Sequence, residues 1–194
     1  MAILLGAQAL LREQERHTIW IALSHPIHRG HFIFGKFLGV AVVIFLNWAL
    51  NSLILISALS TQVEAWGDLW RPTLAVGLFL LLLQSFLFVA LAFFLSSFMT
   101  FSMSVMVGTA VFLIGNSMGQ LRALALQLKD EPLGRLSEFF TWIHLDLERF
   151  NLGYRITYDL PLGFSFIAVS VLYAVLWIAA LLSMASYFLG RREA

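Results

Sequence analysis

No cysteine occurs in the chain, which excludes disulfide bonds and thiol chemistry and leaves the compartment open. Charge is nearly as scarce. Twelve Lys and Arg stand against 11 Asp and Glu, and charged residues make up 12% of the 194 positions, where a soluble domain carries about a quarter. A net charge of +1 with no basic cluster excludes a nucleic-acid surface. Also missing is the Gly-x-x-x-x-Gly-Lys-Ser/Thr loop that cradles nucleotide phosphates. The pair Gly35-Lys36 has no Gly-rich loop before it and Phe37 in place of the following hydroxyl. No linker or low-complexity stretch divides the chain, so residues 1–194 read as a single domain.

Hydrophobic residues take the space that charge leaves. They form 60% of the chain, and its mean hydropathy is +0.87. Continuous apolar runs long enough to cross a hydrocarbon core of about 30 Å cover residues 37–59, 72–98, 101–121 and 162–189. Lipid offers no hydrogen bonds to the backbone, so runs of this length predict helices and the fold class is an all-α polytopic membrane protein. Arg12, Arg16, Arg29 and Lys36 on one flank and Arg191 and Arg192 at the C-terminus place both flanks in the cytoplasm across four spans. The loops at 62–71 and 122–161 then face outward, with Trp66, Trp70, Trp142, Tyr154 and Tyr158 at the level of an aromatic belt.

Residues 2–11 supply about half a span before Arg12, without a cleavage signal, and read as the inner half of a helix whose outer half is missing. A shortened product, a late start and one half of a split pair all fit that reading. Beyond it, Glu13 to Gly39 is a charged junction between apolar runs. Pro26 disfavours a helical His25 and suits the first turn of a new helix. A short helix over about 27–34 is expected, with Phe32, Ile33 and Phe34 toward the membrane and His28, Arg29 and His31 toward water. Gly35 then permits a sharp turn into the span at Phe37. Such an amphipathic segment has the shape to dock in a groove of a soluble partner.

The order Glu15, Arg16, Thr18, then Leu23-Ser24-His25-Pro26-Ile27-His28-Arg29, Phe32 and Gly35-Lys36-Phe37-Leu38-Gly39 resembles the permease subunits of type 2 ABC exporters, especially the group with the copper-enzyme maturation permeases. Leu147-Glu148-Arg149-Phe150-Asn151, Tyr173 and the terminal Gly190-Arg191-Arg192-Glu193 extend the likeness over nearly the whole chain. Thr141-Trp142-Ile143 departs from it where the family often has Pro-Asn or Pro-His. The resemblance implies a six-span fold, of which this chain lacks the first span and much of the second. It also implies a bacterial or archaeal plasma membrane, with the C-terminus cytoplasmic. Ser24, His25, Pro26, Ile27, His28, Arg29 and Phe32 would receive the stroke of a separate ABC ATPase, which would hold the ATP and Mg. A second permease, identical or different, would complete the path. The chain itself would carry no catalytic residue, cofactor or metal.

Other readings stay open on the residues alone. His25, His28 and His31 recur at three-residue spacing, as metal ligands do, yet Pro26 interrupts the helix and no carboxylate stands nearby. A membrane metalloenzyme and a non-transporting structural or assembly subunit are the alternatives to a permease. Asn47 and Asn51 lie one turn apart on one helix face, and with Gln84 and Asn116 they either bond between helices or line a path. Gly35-x-x-x-Gly39 and Gly115-x-x-x-Gly119 have the spacing of close helix approach. Leu136, Phe139, Phe140, Ile143, Leu147 and Phe150 form an apolar stripe expected to anchor a helix on the outer surface.

Overall fold

Apolar residues on every face of a long helix leave only lipid or other helices as neighbours. The computed structural model follows that rule, and describes residues 1–15, 29–61, 72–117, 147–150, 152 and 163–191. Five α-helices account for almost all of these: α1 Ala2–Glu15, α2 Arg29–Ser60, α3 Pro72–Ser96, α4 Phe101–Asn116 and α5 Phe164–Arg191, with a 3-10 turn at Glu148–Phe150. Within α2, α3 and α5 the stretches His31–Ser60, Thr73–Ser96 and Phe164–Leu189 are long and apolar enough to cross a membrane, and α4 is a shorter apolar helix. The fold is all-α and polytopic, with three helices of spanning length among the described residues where four are expected from the runs of sequence.

α3 is the axis of the bundle. Of its spanning window 67% is buried, against 17% for those of α2 and α5. From Leu87 to Phe93 every residue is buried, because α1, α2, α4 and α5 all pack on it. The peripheral helices each turn one stripe inward. In α2 the buried positions are Ile33, Phe37, Ala41, Ile44 and Ser52, and in α5 they are Ser170, Ala174, Leu181, Ala185 and Leu189. Steps of three and four keep such residues on one face. The outward faces carry Leu46, Leu50, Leu53, Leu172 and Leu176, all more than half exposed and suited to acyl chains.

α1 meets α3 and α4 at contact distance because glycine stands at both crossings. A Cβ at Gly6 would lie 2.8 Å from the Ala92 Cβ and 3.3 Å from the Val89 carbonyl, and one at Gly108 would lie 3.0 Å from Ile3 Cγ2. Small residues permit this close approach, which lets dispersion replace the hydrophobic effect that lipid cannot supply. Gly35 and Gly39 do not have that role, since a Cβ at either would meet nothing within 4 Å. Gly115 is buried, and Gly119 lies outside the described residues.

Two further expectations are corrected. Gly35 does not end a short helix: α2 runs unbroken from Arg29 to Ser60, and its 32 residues rise about 48 Å at ~1.5 Å each. A glycine inside a helix costs only about 1 kcal/mol, and burial of Ile33 and Phe37 on either side of Gly35 outweighs it. The segment before Phe37 is therefore the first two turns of the spanning helix. Nor are Leu147 and Phe150 surface anchors. Both are fully buried and Leu152 is buried beside them in sequence, the 3-10 turn packs on α3, and Phe150 lies 6.3 Å from Tyr173 of α5 between ring centroids. The rest of that stripe, at 136–143, lies outside the described residues.

Candidate functional site

Successive helices alternate in direction, so one end of the bundle gathers the end of α1, the start of α2, the α3–α4 turn and the end of α5. The contacts agree. Lys36 in the second turn of α2 donates its ammonium to the Ala9 carbonyl of α1 at 3.0 Å, and Phe98 after α3 packs 5.6 Å from Phe188 of α5. We call this the junction end. Ser24, His25, Pro26, Ile27 and His28 lie outside the described residues, and Arg29 is described by its backbone, as the first residue of α2. Phe32 is half-buried, and the Lys36 ammonium sits 4.8 Å from its ring centroid. The same ammonium thus binds a helix carbonyl and an aromatic face, and fastens α1 to α2 beside the residues expected to meet a partner. Among the described residues no three His, Cys, Asp or Glu converge as a metal site. His25 and His28 lie outside that set.

A second group of polar residues gathers halfway along the bundle. Gln84 is at the midpoint of Thr73–Ser96 and is buried. Its Nε2 donates to Asn116 Oδ1 at 3.3 Å, and Asn116 Nδ2 donates to the Phe112 carbonyl at 3.2 Å. Asn116 is the last residue of α4, closed by the Ser117 amide on the Ile114 carbonyl. α4 therefore ends beside the middle of α3. Sixteen residues rise about 24 Å, less than the ~30 Å of a hydrocarbon core. Gly115 favours the stop, since glycine costs about 1 kcal/mol in a helix, and the polar Asn116 and Ser117 interrupt the apolar run there. A helix end at this depth is tolerated where protein or a cavity satisfies its backbone.

Such a cavity lies alongside. A half-open cavity of about 470 Å³ lies between α1, α2, α3 and α4, with Asn47, Asn51, Ser85 and Thr109 among its polar lining and Trp48, Phe88 and Phe112 among its aromatic lining. Asn47 and Asn51 do not join helices. Asn51 Nδ2 donates to the Asn47 carbonyl at 2.7 Å and to Asn47 Oδ1 at 3.1 Å, so the pair is bonded within α2 and presented to the cavity. The interhelical bond from α2 comes instead from Trp48, whose indole N–H reaches the Leu78 carbonyl of α3 at 3.0 Å. The structure thus separates four amides with one sequence signal into a cross-helix pair, Gln84 with Asn116, and a cavity pair, Asn47 with Asn51. Sequence reasoning missed Ser85 and Thr109, although each is a hydroxyl in an apolar run and carries the signal used for the amides. Thr109 is also next to Gly108, the residue that lets α4 approach α1.

The family model for ABC-2 family transporter proteins matches residues 1–194. The chain belongs to the ABC-2 transporter family. No curated protein matches it. Family membership makes the bundle the membrane-spanning transport subunit of an ABC system, and the spanning helices agree with a multi-pass membrane protein.

Proposed function

We propose that the chain is the permease subunit of an exporter, driven by a separate ABC ATPase that acts on Ser24, His25, Pro26, Ile27, His28, Arg29 and Phe32. The observation that carries this reading is the bond from Lys36 to the Ala9 carbonyl. It ties together the two helices that flank residues 16–28, and both pack on α3. Closure of the ATPase would displace the start of α2, and α1 would follow as one body with it. α2 continues without a break to Ser60, so movement at its first turn reaches the level of Asn47 and Asn51 without a hinge at Gly35. A stroke of this kind supplies the differential contact that any two-state switch needs. ATP and Mg belong to the partner. A second permease copy, or a related chain, faces this one in the membrane, and the junction end lies on the cytoplasmic side.

Purification in mild detergent from the native membrane, followed by mass spectrometry of what remains bound in stoichiometric amount, tests the reading. A nucleotide-binding ATPase is expected with the unchanged chain and is lost with Ile27→Ala together with Arg29→Glu. Recovery of only non-nucleotide-binding proteins would overturn it in favour of a structural subunit.

A further inference from the structure

Four facts about the mid-depth cavity point to a particular occupant. Its volume of about 470 Å³ falls within the ~300–1,000 Å³ of small-molecule sites. No charged side chain is among its lining residues. Asn47 Nδ2 and Thr109 Oγ1 have no hydrogen-bond partner among the described residues, and Asn51 spends its own amide donors on Asn47. Trp48, whose indole N–H is already satisfied by Leu78, contributes only its ring, as do Phe88 and Phe112.

We infer that the cavity binds an uncharged, mostly apolar molecule that carries a carbonyl group. The Asn47 amide donors point to an acceptor, and a carbonyl meets them without the ionisation that hydrocarbon penalises. Thr109, on the facing helix, supplies a second donor. The aromatic faces take the apolar body. Both donors line the open cavity, and an occupant carbonyl can accept from them where acyl chains cannot. A cation finds no counter-charge among the lining residues. The site stands on its geometry, and only its naming as a cargo site rests on the permease reading above.

The probe is 4-benzoyl-N-octylbenzamide, an uncharged photoreactive amide, applied to the purified protein in lipid nanodiscs and mapped by peptide mass spectrometry. Saturable labelling is expected within 44–51, 85–88 and 109–112, and unlabelled N-octylbenzamide is expected to compete with it. A benzophenone bearing a quaternary ammonium is expected not to label these positions. Asn47→Leu with Asn51→Leu weakens apparent affinity about tenfold, the loss expected for roughly one hydrogen bond of the stronger kind. Thr109→Trp, which fills the cavity from an exposed position, blocks labelling by steric means. Competition on the unchanged chain keeps the test alive should either variant fold poorly. Labelling spread without saturation over lipid-facing Leu53 and Leu172 would overturn the inference, as would labelling undiminished in both variants, or a polypeptide cross-linked at these positions in place of the probe. Saturable labelling of a protein that recovers no ATPase would leave the site standing and remove the cargo reading. An ATPase recovered without saturable labelling would do the reverse.

Discussion

Gln84 and Asn116 meet across α3 and α4 at 3.3 Å, and the bond joins the midpoint of the central helix to the last residue of a helix that stops there. Both ends of the contact are amides, so it survives only where each is shielded from competing partners. Gln84 is buried, and the α4 terminus beside it leaves carbonyls without intrahelical donors. The pair therefore marks the depth at which the bundle changes from regular helix to a polar interior next to a cavity.

Replacing either partner should destabilise the bundle modestly. Cross-helix hydrogen bonds in membranes average about 0.6 kcal/mol by double-mutant cycle, with a maximum near ~1.7. Gln84→Leu and Asn116→Leu are each expected to lose about 0.5–1.5 kcal/mol, with a coupling of about 0.6 kcal/mol in the double variant. Equilibrium unfolding in mixed micelles with graded SDS measures all three. A coupling of zero would mean that the two amides find other partners when separated.

Glycines in this chain should separate into two classes on substitution. Gly6→Val drives a side chain into Ala92 and the Val89 carbonyl, and overpacking of this kind costs about 1–3 kcal/mol. Gly35→Ala and Gly39→Ala meet open space inside α2, so helix propensity alone should stabilise the isolated chain by about 0.5–1 kcal/mol each. Thermal unfolding of the monomer in detergent distinguishes them by sign.

Composition and run length were enough to reveal the helices, because a backbone in lipid has almost no alternative to one. The same reasoning failed at Gly35 and Asn116. Local residue type marks Gly35 as a breaker, yet the burial of Ile33 and Phe37 against the rest of the bundle is a tertiary fact that no window of sequence contains. The stop at Asn116 is written in Gly115-Asn116-Ser117, but hydropathy continues past it to Leu121 and hides the change. Of the candidate site, the amides were legible as polar residues in apolar runs. Which of them face a cavity and which face a neighbour depends on helix rotation, and Asn47 and Asn51 proved to bond each other. The buried ends of the 147–152 segment were misread for a related reason: an apolar stripe has the same pattern whether it rests on lipid or on protein.

Phe150 gives a direct measure of that last distinction. It is fully buried against the bundle, and Tyr173 stands beside it with the Arg149 guanidinium 5.8 Å from the Tyr173 ring centroid. A surface anchor replaced by alanine loses little fold stability in detergent. A buried Phe leaves a void, and Phe150→Ala is expected to cost about 2–3 kcal/mol. That is below the ~3–5 of soluble cores, because part of the transfer term vanishes where the unfolded state also sits in an apolar medium. Phe150→Leu, which refills most of the volume, should recover more than half of the loss. Equal stability of both variants and the unchanged chain would return the segment to the surface.

Lys36 offers the sharpest test of how the junction end holds together. Its ammonium bonds the Ala9 carbonyl and lies over Phe32, so Lys36→Met keeps the stem and removes both interactions. A hydrogen bond from a charged donor contributes about 1.5–3 kcal/mol, and its loss should appear locally, as opening of α1 from α2. Amide hydrogen exchange in α1 is expected to accelerate at least about tenfold in Lys36→Met, since 1.4 kcal/mol is a factor of ten. Exchange in α5, which supplies neither partner of the Lys36–Ala9 bond, should stay unchanged. Lys36→Arg keeps a cation and donors at similar reach and should restore much of the protection. In the complete transporter the two variants then separate mechanics from fold. If the bond carries the stroke from α2 to α1, Lys36→Met retains bound ATPase and loses the stimulation of its hydrolysis by cargo, and Lys36→Arg retains both. Protection and stimulation falling together with ATPase binding would instead make Lys36 a residue of assembly.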